Sequence, residues 1–128
     1  MIGWSNEVKL NTRIDVYEKE FEVKLPEDLK QIIENHNKAH IIPNCFKTKN
    51  GEEIIVKHFL SFNKEDKLSA YFCKRLEQIP KDVFPFAVDP FGNFICLQNS
   101  KIVFFDSETE SYDFICNSVT ELLNNLCE

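Results

Sequence analysis

The sequence predicts an α+β fold: an antiparallel sheet of about six strands with N-terminal, middle and C-terminal helices packed on it. Three observations lead there. Apolar residues at helical spacing mark the beginning, the middle and the end of the chain. Between Val83 and Cys116, apolar runs alternate with tight turn signals, and strands joined by tight turns pair antiparallel. Phenylalanine is abundant, with 12 against one methionine and one tryptophan, which suits a packed core built on a sheet. Helices set apart from a run of strands argue against a βαβ arrangement.

The elements follow in order. Over Arg13 to Phe21, Ile14, Tyr17 and Phe21 draw one helical stripe, with Val16 beside it. Pro26 suits the first turn of a second helix, where a missing N–H costs nothing. Glu27 and Asp28 then favour the positive end of the helix dipole. Leu29, Ile32 and Ile33 supply its apolar face, and it should fray near Asn37. Asn44 to Lys49 and Glu52 to Phe59 flank Asn50-Gly51, which predicts a hairpin with a two-residue turn at positive φ. Asn63 is the expected N-cap of a third helix, with Asp66 in its first turn. Leu68, Tyr71, Phe72 and Leu76 form the face of that helix, and Pro80 ends it.

Val83 to Ala87 reads as a strand start. Pro85 argues for an edge or entry position, since it cannot donate to a ladder. Asp89 to Asn93 is turn chemistry. Phe94 to Leu97 is a nearly continuous apolar strand, Ile102 to Phe105 runs back, and Tyr112 to Cys116 forms a short last strand. Ser118 with Glu121 is a capping box, launching a closing helix through Leu126.

The chain has 128 residues, enough for one domain, 1-128, with one core. The net charge is −6. Nucleic acid and anionic membranes are therefore poor partners, because the long-range term is repulsive, whereas a basic protein is a good one; a mildly acidic surface that merely aids solubility is the simpler reading, and charge alone assigns no function. The five cysteines, Cys45, Cys73, Cys96, Cys116 and Cys127, are odd in number and contain no C-x-x-C pair. Several lie in apolar runs, as buried free thiols do. This suits a reducing cytoplasm. Met1 to Leu10 has no apolar run of the signal-peptide kind, and no stretch is long enough to span a bilayer.

Candidate chemistry is sparse. His36 and His40, with Cys45 close behind, could hold a metal if one helix carried both imidazoles. The helix should end between them, and polar capping explains both more cheaply. Asp106, Glu108, Glu110 and Asp113 cluster around one turn. Acid–base work needs a pocket to move carboxyl pKa values apart, and a turn tip provides none. A solvated turn is the simplest reading, and an acidic patch offered to a basic partner comes next. The apolar neighbours of Cys96 and Cys116 disfavour a thiolate nucleophile. No Gly-rich phosphate loop, G-x-S-x-G elbow or H-E-x-x-H motif is present. Binding, with no enzyme activity, no cofactor and no metal, is the expectation.

Several segments together resemble one known family. Tyr17-Glu18-Lys19-Glu20-Phe21 and Leu25-Pro26-Glu27-Asp28-Leu29 look like its opening helix and L-P-x-D/E segment. Phe59 to Phe62 looks like the strand before its middle helix. Pro85-Phe86-Ala87-Val88-Asp89-Pro90-Phe91-Gly92-Asn93-Phe94-Ile95-Cys96-Leu97 is similar to its P-F-A-x-D…G-N-x-x-C-L core. Ile102 to Asp106 with Glu108 looks like its strand and acidic turn. The family is the SUKH superfamily, whose eukaryotic members include a yeast cell-wall-assembly regulator. Two places depart from the pattern: Asn35 to His40 lacks the usual Gly, and Phe104-Phe105 stands where Trp is common. Leu25, Pro26, Pro85, Phe86, Asp89, Gly92, Asn93 and Cys96 form the matched signature. Phe86, Phe94, Leu97 and Phe104 fit one buried sheet face and its helices, so the signature speaks mainly of fold.

The resemblance implies a role. Bacterial members are typically immunity proteins that bind and neutralise a polymorphic toxin, often a nuclease. The partner expected is thus a cognate toxin, with no direct nucleic acid and no membrane. A regulatory scaffold for a cellular enzyme or cell-wall machinery is the alternative. Asp89, Asp106, Glu108, Glu110 and Asp113, taken as exposed acids, are the expected partner-binding residues.

Overall fold

The computed structural model describes residues 2–127. In chain order the elements are β1 (Gly3–Ser5), α1 (Ile14–Phe21), α2 (Glu27–His36), β2 (His40–Ile42), β3 (Cys45–Lys47), β4 (Glu53–Ile55), β5 (His58–Phe59), α3 (Ala70–Lys74), β6 (Phe84–Val88), β7 (Phe94–Gln98), β8 (Lys101–Asp106), β9 (Ser111–Cys116), α4 (Val119–Asn124) and β10 (Leu126–Cys127). A seven-stranded antiparallel sheet runs β1-β2-β5-β6-β7-β8-β9, and a three-stranded sheet runs β10-β3-β4. The α+β class is as the sequence predicts. The strand number exceeds about six because β1, β2 and β10 are too short to show an alternating pattern and because the one strand expected over Glu52 to Phe59 is two, β4 and β5.

The first two helices form where the stripes place them. Tyr17 is wholly buried on α1, and Leu29, Ile32 and Ile33 are buried on α2. Pro26 stands one residue outside the helix, at its N-cap. Asp28 accepts from the backbone N–H of Thr120 (3.0 Å) and its hydroxyl (2.8 Å), tying α2 to the start of α4.

The middle of the chain departs from expectation. The stretch Glu52 to Phe59 is not one strand. Val56 donates to the Asn44 carbonyl beside the small sheet, and Lys57 donates to Val88 in the large one, so the chain changes sheets between them. The hairpin loop closes with the Gly51 N–H on the Thr48 carbonyl (3.0 Å) and the Thr48 N–H on Glu52 (2.8 Å). Gly51 is left-handed, with φ +85°, and Asn50 is not. This is a three-residue loop, which needs only one such residue.

The third helix is one turn, not the long element expected. Ser69 caps it, accepting from Phe72 N–H at 3.1 Å. Asn63, the expected cap, is buried and used elsewhere. Its Oδ1 accepts from the backbone of Asn11 (2.6 Å) and Thr12 (3.3 Å), and its Nδ2 donates to the Lys9 carbonyl (2.9 Å). The Ser61 hydroxyl donates to Asp66 at 2.6 Å, and the Asn37 amide reaches that hydroxyl at 3.3 Å. These buried polar groups hold the N-terminal strap in place of starting a helix. Leu68 is left-handed, which also stops helical continuation.

At the C-terminus, Ser118 accepts from the Glu121 N–H at 3.0 Å, while Glu121 accepts from Asn117, one residue before the cap. The helix ends at Asn124. Leu126 is a strand residue paired with Phe46, not a helical one.

The large sheet is buried on both faces. Its register places Phe94, Cys96, Val103 and Phe105 on one face, and Ile95, Leu97, Ile102 and Phe104 on the other. All but the half-buried Phe104 are buried. Phe94 and Leu97 therefore do not share the single buried face expected. The second layer explains it: α3 flanks the Phe94 side, and β4 flanks the Phe104 side. Pro85 lies in an interior strand, not at an edge. It is tolerated beside a break in register between Pro85 and Ala87. No helix among the described residues is long and apolar enough to cross a membrane.

Candidate functional site

The site begins with two turns at one end of the large sheet. In the first, Asp89 Oδ1 accepts from the backbone N–H of Phe91 (2.9 Å) and Asn93 (2.8 Å), and its Oδ2 accepts from the Asn93 amide (3.0 Å). Gly92 takes φ +86°, a conformation that suits glycine. In the second, Asp106 Oδ1 accepts from the backbone N–H of Glu108 (2.9 Å) and Thr109 (3.1 Å). The turns are joined: the Ser107 N–H donates to Asn93 Oδ1 (2.9 Å), and its hydroxyl donates to the Gly92 carbonyl (2.7 Å).

This corrects one expectation. Asp89 is 7% exposed, and its carboxylate is occupied by its own turn. It is not an exposed acid available to a partner. Asp106 is half-buried and organises the second turn, while Glu108, Glu110 and Asp113 are exposed. The structure thus separates the five acids into two that shape turns and three that face solvent.

Around these turns lie exposed apolar side chains. Phe91, at the first tip, is 82% exposed, and Leu68 and Phe72 are 66% and 50% exposed. Leu68, Phe72, Leu76, Val88, Pro90 and Phe94 line a groove of about 290 Å³, rimmed by Lys57 and His58. On β9, Phe114 is 54% exposed and Tyr112 is also exposed. The Tyr112 hydroxyl accepts from Gln98 Nε2 at 3.1 Å. Clustered exposed apolar side chains mark a surface suited to protein contact. Sequence periodicity misses the groove, because it assigns Leu68 and Phe72 to a core-facing helix.

Charge is distributed unevenly. All fifteen lysines and arginines lie in residues 1–101, matched there by fifteen acids. The remaining six acids, Asp106, Glu108, Glu110, Asp113, Glu121 and Glu128, follow without a base and account for the net −6. Four of the six, Asp106, Glu108, Glu110 and Asp113, lie in β8, β9 and the turn between them, which end the large sheet. A charge count by segment would have shown this from sequence.

The other candidates resolve simply. His36 stacks on Trp4, with ring centroids 4.0 Å apart, and pairs with Glu7. His40 lies in β2, facing His58 of β5. Among the described residues no three His, Cys, Asp or Glu side chains gather as a metal site. Burial pushes the Cys73 and Cys116 thiols up to about 11, and Cys96 well above its ordinary value. These three are therefore protonated at neutral pH.

The model of the SUKH_6 family, described as SMI1-KNR4 cell-wall, matches residues 11–123. The chain belongs to the SUKH family. No curated protein and no solved structure matches it. The SUKH signature residues now have physical roles. Leu25, Phe86 and Cys96 are buried, Pro26 precedes α2, and Pro85 sits at the register break. Asp89, Gly92 and Asn93 build the locked turn. All eight lie in the core or in the turns and element ends that shape the fold.

Proposed function

We propose that this SUKH protein is a bacterial immunity protein. It binds a polymorphic toxin, with a nuclease domain as the fitting class, and neutralises it in the cytoplasm by forming a stoichiometric complex. It needs no cofactor and catalyses no reaction. The observation that carries this reading is the joining of SUKH membership to an unbalanced acidic segment beside exposed aromatic residues. A nuclease must approach phosphate and is commonly basic, so an acidic surface steers the encounter and apolar contacts retain it. The protonated buried thiols support binding over thiol chemistry.

The test is co-expression with the toxic domain encoded beside the gene. Restored growth and a one-to-one complex are expected. Growth arrest with no complex would overturn the reading. A second reading, a regulatory scaffold, is favoured by the cell-wall description of the family. It predicts recovery of cell-wall machinery, not a toxin, by the tagged protein.

A further inference from the structure

We propose that the outer edge of β9 receives a strand from the partner protein, an extended segment alternating basic and apolar residues. This deepens the immunity reading, which supplies only the partner's identity. The geometry stands on its own. β9 is the last strand of the seven-stranded sheet and pairs only with β8. Among the described residues, no other backbone hydrogen bond reaches Ser111 to Cys116. The six-residue edge has neither proline nor lysine, and its register break falls between Phe114 and Cys116, at its far end, so Ser111 to Phe114 form a regular edge open to strand addition.

The side chains specify what it would accept. Tyr112 and Phe114 alternate with Asp113 along β9, so they project to opposite faces. Apolar residues of an added strand would lie beside the two aromatics, and a Lys or Arg beside Asp113. A notch of about 250 Å³ adjoins the strand, lined by Thr48, Asn50, Glu52, Phe104 and Asp113. It sets two carboxylates where that basic side chain would reach. Neither Glu52 nor Asp113 forms an ion pair among the described residues, nor do Glu108 and Glu110 at the adjoining turn. A second copy of this chain is a poor occupant. Pairing β9 with β9 would bring two sets of carboxylates together without a base, and like charges across strands are destabilising. The same charge repels nucleic acid.

The probe is an acetylated, amidated peptide of about seven alternating Lys and Val residues, a normal strand length. It is titrated into isotope-labelled protein while amide resonances and exchange are followed. Shifts and slowed exchange across Ser111–Cys116 are expected, with affinity about tenfold weaker in Asp113→Lys, from loss and reversal of a cross-strand charge pair. A Glu–Val peptide should not bind. A Lys–Pro peptide has the same charge but cannot form the ladder, so it should not protect β9 either. Absence of β9 perturbation by the Lys–Val peptide, or equal binding of the Lys–Pro peptide, would overturn strand addition. Failure of toxin neutralisation would overturn the immunity reading and leave the peptide result standing.

A separate observation carries a second inference: we infer that Cys45 and Cys127 form a reversible disulfide that fastens β10 to β3. They are direct partners across the antiparallel pair, and both thiols are free. Cys127 is half-buried and Cys45 buried, so Cys127 meets the oxidant first. With oxidised glutathione, the Cys127 thiolate attacks one sulfur and releases a glutathione thiol. The Cys45 thiolate then displaces the second glutathione, forming the S–S bond, and the two protons lost by the protein end on the released thiols. Digestion and mass spectrometry should find the peptides containing Cys45 and Cys127 linked, and Cys127→Ser should abolish the link. A persistent glutathione adduct on Cys127, or a different pairing, would overturn it.

Discussion

Asp89 shows what a single residue's surroundings decide. Its three accepted hydrogen bonds hold the turn that leads into β7. Removing it leaves three donors short of a charged acceptor. Asp89→Ala should cost about 2–3 kcal/mol, read as a lower urea midpoint. Glu108→Ala, at an exposed carboxylate, should stay within about 0.5 kcal/mol. Tyr17 makes the opposite case. It is wholly buried, packs edge-on to Tyr71 at 5.2 Å between ring centroids, and its hydroxyl has no hydrogen-bond partner among the described residues. Burial pushes its pKa up. Tyr17→Phe removes an unsatisfied group and keeps the ring. It should leave stability unchanged or raise it by about 1 kcal/mol, measured in the same urea series.

Among the elements, the helices illustrate how capping residues divide their work. Ser118 caps α4 as its sequence signal states, and Ser118→Ala should cost about 1 kcal/mol, visible in thermal melting. Asn63 carries an equally good signal but caps no helix, because the strap at Lys9 to Thr12 takes its hydrogen bonds. The signal describes only what the side chain can accept, and the nearest donors lie more than fifty positions away in sequence, at |i−j| = 51 and 52. β5 and β2 show a related coupling. His58 faces His40 across the pair, with centroids 5.1 Å apart. Burial holds the His58 pKa below its ordinary value, opposed by its bond to the Phe59 carbonyl and aided by His40, Lys57 and Lys38. The unfolded chain titrates near 6.5, so it takes up the proton first as pH falls. Stability is unaffected by this group above that pH and is lost as pH drops through the lower folded value. Urea midpoints at pH 7.5 and 5 should fall less in His58→Gln than in the parent protein.

Across the whole molecule, charge and fold are divided between segments. Residues 1–101 are balanced, and the excess acid belongs to the part containing β9 and α4. Association with a basic partner should therefore slow as ionic strength rises, since screening shortens the reach of exposed charges. Stopped-flow mixing with the proposed toxin partner at low and moderate salt would show it. A salt-independent rate would count against electrostatic steering at this edge.

The sequence by itself determined the α+β class, the two N-terminal helices, the strand run from Phe84 to Cys116, the capped closing helix and the resemblance to SUKH proteins. The helices and strands rest on spacing among near neighbours, which sets the side-chain period of a helix or strand; the resemblance rests on the matched segments. Only the tertiary structure decided that Asp89 is enclosed while Glu108, Glu110 and Asp113 are exposed, that both sheet faces are covered, and that Leu68 and Phe72 border an open groove. Those outcomes depend on which distant segments meet. The Thr120–Asp28 bond joins residues 92 positions apart, and no local period carries that information. Burial of a polar group is decided by whether a partner arrives to satisfy it.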